Sequence, residues 1–110
     1  MAILKIQNTL GNNREEFVPV NPSHVRIYAC GPTVYDYAHI GNARMAVVND
    51  LLVRLLRKIY PKVTFVSNIT DIDDKIIEAA QNTNTPFQEL TRKFEKIYNK
   101  DMSVLGVLPP

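Results

Sequence analysis

Between Gly41 and Ile59 the apolar residues Ala43, Val47, Val48, Leu51, Leu52, Leu55, Leu56 and Ile59 return at helical spacing. Arg44, Asp50, Arg54, Arg57 and Lys58 fall mainly off that stripe, so the spacing predicts an amphipathic helix, and Pro61 prevents its continuation. Short runs rich in β-branched and aromatic residues flank it, Val25 to Ala29 before and Lys62 to Ser67 after. A strand–helix–strand unit of this kind pairs its strands in parallel through a right-handed crossover. The loops after Ala29 and Ser67 then leave the same, carboxyl edge of the sheet, which is where ligands bind in open α/β folds. The pattern predicts an α/β fold and selects residues 30–41 and 68–74 as the candidate site.

The other segments are secondary to that unit. Ala2 to Ile6 and Glu16 to Val20 read as strands around the turn residues Gly11-Asn12-Asn13, a small N-terminal β-hairpin over about residues 2–20. Thr70, three residues before Asp73, predicts a capping box that opens a helix reaching about Gln81. Thr85-Pro86-Phe87-Gln88 places a cap, a proline at the first helical position and a glutamine at the third, for a helix reaching about Met102. Leu105 to Pro110 reads as the chain leaving a domain.

Composition removes several function classes. A net charge of +2 over 110 residues is too small to imply a nucleic-acid-binding face. A single cysteine, Cys30, rules out an internal disulfide and fits a reducing cytoplasmic setting. No apolar run approaches the roughly 18–20 residues of a membrane span, and the first ten residues have no signal-peptide pattern.

The first candidate loop reads Cys30-Gly31-Pro32-Thr33-Val34-Tyr35-Asp36-Tyr37-Ala38-His39-Ile40-Gly41-Asn42. A glycine at a helix start lets a phosphate approach backbone N–H groups at the positive end of the helix dipole. An imidazole beside it can donate to the same phosphate as charge develops. His39-Ile40-Gly41-Asn42 is similar to the His-Ile-Gly-His signature of class I aminoacyl-tRNA synthetases, with Asn42 in place of the second histidine. The longer run from Cys30 to Asp36, together with Asn68-Ile69-Thr70-Asp71-Ile72-Asp73-Asp74-Lys75-Ile76, resembles cysteinyl-tRNA synthetases in both segments and in their separation. The resemblance covers nearly the whole chain, including Asn8-Thr9-Leu10.

That resemblance implies the first half of a Rossmann-like nucleotide-binding fold, with residues 1–110 forming the amino-terminal portion of the catalytic domain. It implies ATP-dependent activation of L-cysteine to cysteinyl-adenylate and transfer to tRNA(Cys), with ATP used together with Mg2+. Cys30 would be one of four ligands of a Zn2+ ion that takes the substrate thiolate. Gly31, Thr33, Asn68, Ile69 and Thr70 would line the cysteine and adenylate site, and His39, Gly41 and Asn42 would face the ATP phosphates. Met45 replaces a threonine frequent in the family and cannot donate its hydrogen bond. The other zinc ligands, the second ATP signature and the tRNA-reading domain lie beyond residue 110 in the family, so this chain carries half a site and is expected to be inactive alone. A cysteine ligase of mycothiol synthesis and a non-catalytic adenylate-pocket module are the alternatives.

Plainer readings accompany each residue. An isolated cysteine after a strand is ordinarily a small buried hydrophobe. His24 reads as an exposed loop residue, and Tyr35 and Tyr37 as packing residues. Asp71, Asp73 and Asp74 fit a helix's first turn through the dipole alone, without magnesium. Arg54, Arg57 and Lys58 read as a solvated helix face.

Overall fold

The computed structural model describes residues 3–110, whose elements in chain order are β1 (Lys5–Asn8), β2 (Asn13–Glu16), β3 (Val25–Ala29), α1 (Ile40–Ile59), β4 (Val63–Ser67), α2 (Asp74–Thr83) and α3 (Phe87–Val104). The central expectation holds. β3 and β4 pair in parallel from Val25 opposite Val63 to Ala29 opposite Ser67, and α1 packs against β4. Leu56 and Val53 of α1 are buried with Val25. Burial of side chains of this size contributes about 1.5–3 kcal/mol each, enough to hold the crossover in place.

The predicted stripe of α1 is only partly covered. Val48, Leu51 and Ile59 remain 56%, 67% and 49% exposed, because a two-stranded sheet is too narrow to shield a twenty-residue helix. The radius of gyration of 16.8 Å exceeds the about 13 Å of a compact domain of this length.

Several boundaries are corrected. The hairpin exists, but its strands lie closer to the turn than predicted, pairing Lys5 with Glu16 and Asn8 with Asn13. Asn12 at φ 50° sets the turn, so the second strand starts at Asn13 and not at Glu16. Of the predicted first strand, Ala2 lies outside the described residues. Phe17, whose N–H still donates to the Leu4 carbonyl at 2.8 Å, stacks edge-on against Tyr60 at the end of α1, with ring centroids 6.1 Å apart. Asp73, not Thr70, caps α2, its carboxylate accepting from the Ile76 N–H at 2.9 Å. Pro86, not Thr85, occupies the cap of α3, since the Thr85 hydroxyl donates to the Thr83 carbonyl at 3.2 Å.

The chain after α3 does not run out into solvent. Gly106 N–H donates to Ser103 O and Val107 N–H to Met102 O, a Schellman turn made possible by Gly106 at φ 80°. Arg54 and Asp50 then hold the returning backbone against α1 through Gly106 O and Leu108 N–H. Arg54 is therefore a tertiary contact and not only a solvated charge; as an isolated i,i+4 pair with Asp50 it would be worth only about 0.3–0.5 kcal/mol.

A second core joins the motif loop to the helical layer. Val34, from the loop after β3, is 2% exposed and packs with Leu90 and Phe94 of α3, against Ile69, Ala79, Ala80 and Ile97. A loop residue thus serves as the wedge that seats α2 and α3. Val34→Ala should lower stability by about 2 kcal/mol in a urea titration, the scale of a truncated core side chain. An effect below about 0.5 kcal/mol, as at surface positions, would contradict the wedge.

Candidate active site

Two loops meet at the carboxyl edge of β3 and β4. The Gly31 N–H donates to Asn68 Oδ1 at 2.6 Å. The Thr70 N–H donates to Pro32 O at 3.0 Å and the Val34 N–H to Thr70 O at 3.1 Å, giving a parallel bridge between Thr33 and Thr70. The ladder of β3 and β4 thus resumes beyond the strands. Only glycine fits at residue 31, since a Cβ there would collide with the Asn68 carbonyl oxygen. The Asn68 side-chain oxygen is engaged in holding Gly31, which leaves its NH2 as the free donor.

His39 is the N-cap of α1. Its Nδ1 accepts from the Gly41 N–H at 3.0 Å, and the His39 N–H donates to Asn42 Oδ1 at 3.0 Å. A Cβ on Gly41 would come within 2.8 Å of His39 Cε1, so the glycine makes room for the imidazole. A neutral ring whose Nδ1 accepts carries its proton on Nε2. The amide of Asn42 serves the cap through its oxygen and keeps NH2 available, as a second histidine could do only in one tautomer. Four consecutive residues therefore place an N–H donor from His39 and an amide donor from Asn42 at the positive end of a twenty-residue helix.

The predicted residues divide between two clefts. Cys30, Gly31, Asn68 and Ile69 line a cleft of about 540 Å³, with Met45 and Asn49 of α1 opposite. Thr33, His39 and Asn42 line a smaller one of about 260 Å³, with Lys75. Thr70 and Gly41 line neither; their parts are the bridge and the space for the cap. Met45 faces the larger cleft, so the missing threonine hydroxyl leaves an apolar wall there.

Tyr98 borders both clefts. Partial burial raises its phenol above the ordinary value, so it remains a neutral hydrogen-bonding group. The sequence reading missed Tyr98, Met102 and Asn49. Tyr98 and Met102 are four apart on α3, as Met45 and Asn49 are on α1, and that spacing puts each pair on one helix face.

Cys30 is a free, exposed thiol. Among the described residues no three His, Cys, Asp or Glu side chains approach closely enough to hold a metal. His24 cannot join Cys30, since the intervening strand separates them by roughly 20 Å. It is partly buried rather than exposed, with Nε2 at 2.8 Å from Thr64 Oγ1. Partial burial, and then the Arg26 and Lys62 charges, lower its pKa. Tyr37 stacks edge-on against Phe94 with centroids 5.2 Å apart but stays 62% exposed, so it makes a surface contact and is not the packing residue expected. The Lys75 ammonium lies 5.8 Å from the Tyr35 ring centroid. No helix among the described residues is long and apolar enough to cross a membrane.

A parallel α/β unit with a histidine–glycine helix cap at its ligand edge is compatible with a class I tRNA synthetase catalytic domain, and the comparison of sequences shows that class. Residues 16–110 match the family model described as tRNA synthetases class I (C) catalytic domain, and the chain belongs to that family. It is 53% identical over 107 residues to a cysteine--tRNA ligase of Rhodospirillum rubrum, covering 97% of this chain and 23% of that protein. It is 54% identical over 105 residues to a cysteine--tRNA ligase of Ehrlichia ruminantium (strain Gardel), covering 96% and 23%. One from Acidiphilium cryptum is 51% identical over 110 residues, covering 100% and 24%. The chain thus spans about a quarter of the length of these curated relatives.

The cap geometry makes a spectroscopic prediction. Long-range proton–nitrogen correlation on neutral His39 should show Nε2 protonated and Nδ1 bare. The reverse tautomer would mean that the ring does not cap α1.

Proposed function

We propose that this chain is the amino-terminal portion of the catalytic domain of a cysteine--tRNA ligase, which activates L-cysteine with ATP and transfers it to tRNA(Cys). The supporting observation is the junction of the Cys30 and Asn68 loops, which sets a thiol-lined cleft beside a cleft built on a helix N-terminus. Cysteine would occupy the larger cleft with its side chain toward Cys30. The ATP phosphates, carried with Mg2+, would occupy the smaller one, receiving the Nε2–H of His39 and the amide of Asn42. Donors fixed in a cap need no reorganisation when charge builds on the α-phosphate, so they favour the transition state over the bound substrate.

Cys30 would fill one corner of a zinc ion, and among the described residues no group of three His, Cys, Asp or Glu side chains completes a site. Zinc, when bound, would supply a soft partner for a thiolate, which serine cannot imitate. Its remaining ligands, the second ATP-binding segment and the tRNA contacts would come from the rest of the enzyme. The uncovered stripe of α1 and the extended shape support that larger domain. By the same reading the 110 residues alone form no cysteinyl-adenylate, and the enzyme works in the cytoplasm.

In the full-length enzyme, His39→Asn should slow cysteine-dependent pyrophosphate exchange roughly 10²-fold or more, the scale of one lost transition-state donor. Asparagine is itself a favoured N-cap, so the melting temperature should hold. A large stability loss with normal activity per folded molecule would make His39 a structural residue only.

A further inference from the structure

Asp50 and Arg54 sit one turn apart on α1 and grip the segment that follows α3. Arg54 Nε donates to Asp50 Oδ2 at 2.8 Å, while its NH2 group donates to Gly106 O at 2.8 Å. The other Asp50 oxygen accepts the Leu108 N–H at 3.0 Å. One ion pair therefore reads a carbonyl and an amide two residues apart, across more than fifty residues of sequence. The Asp50 side chain is 13% exposed. Burial alone would raise its carboxyl, but the bonds from Arg54 and Leu108 and the charges of Arg54 and Arg57 outweigh it and hold it low.

The gripped segment is also a wall of the larger cleft. Val107, Leu108, Pro109 and Pro110 line it together with Cys30 and Gly31. No residue after Ser103 lines the smaller cleft with His39 and Asn42. Gly106, at φ 80°, turns the chain into this path. We propose that Asp50 and Arg54 are positioning residues for the amino-acid pocket, acting through the backbone of residues 106–108 to hold a wall of the cleft that Cys30 also lines. This rests on the cysteine-activating function proposed above. Neither side chain lines either cleft, so both act at one remove from the substrate. The coupling is selective, because the wall borders one cleft and not the other.

The test uses the full-length enzyme with Asp50→Ala, Asp50→Asn and Arg54→Ala, reading pyrophosphate exchange at varied cysteine and varied ATP. Hydrogen exchange is followed in parallel on the peptide covering residues 103–110. Both alanine variants should raise the KM for cysteine about tenfold, as expected for a displaced positioning element, while the KM for ATP stays within about twofold. Exchange at Leu108 should quicken in both. Asp50→Asn should recover much of the cysteine KM, since its oxygen can still accept the Leu108 N–H. Faster exchange with an unchanged cysteine KM would overturn the proposal, as would equal rises in both KM values with a lower melting temperature. A wild-type enzyme without cysteine-dependent exchange would contradict the functional reading and the substrate half of this proposal, while hydrogen exchange still decides the grip itself.

Discussion

The bond from the Gly31 N–H to Asn68 Oδ1 is the constraint on which the rest of the site depends. Two loops that leave parallel strands have no inherent reason to stay together. Here one side-chain oxygen crosses the gap, and the backbone bridge between Thr33 and Thr70 completes the closure. The approach is so close that residue 31 can carry no side chain. Beyond the bridge Val34 drops into the core of α2 and α3, so the sheet, the loops and the helical layer are tied through five residues. Loss of that tie would separate the Cys30 cleft from the His39 cleft without breaking either strand.

The second economy is at the start of α1, where the cap and the candidate chemistry share residues. His39 satisfies an orphan N–H with one ring nitrogen and keeps the other as a donor. Asn42 does the same with the two ends of its amide. Capping uses one end of each side chain and leaves the other end free for the phosphate proposed above, so the cap does not compete with that role. A helix N-terminus attracts anions in any protein; the imidazole and amide held there by the cap add direction.

Much of this was legible in the sequence because it is local or periodic. The strands at residues 25–29 and 63–67 and α1 are set by β-branched runs, helical spacing and Pro61, and each emerged within one residue of its expected limits. Caps were less legible. Thr70 and Thr85 both suit a cap by type, but Thr70 is held by the bridge to Pro32 and Thr33, and the Thr85 hydroxyl bonds to Thr83. The exposure of Leu51 and Val48 could not be read either, since periodicity gives the face of a helix and not the width of the sheet beneath it. Long-range contacts were hidden altogether: Arg54 looks like a solvated charge until Gly106 returns to meet it. Gly106 itself was the available signal, a glycine placed where a helix needs a left-handed stop.

The central claim is that the two tied loops form one cysteinyl-adenylate site with a thiol end and a phosphate end. A crystal structure of the full-length enzyme with a non-hydrolysable cysteinyl-adenylate analogue tests it most directly. The analogue's thiol should lie in the cleft with Cys30, and the group replacing its phosphate should lie within hydrogen-bond reach of His39 Nε2 and the Asn42 amide. An analogue bound away from these loops, or with its thiol beside His39 and its nucleotide beside Cys30, would contradict the account.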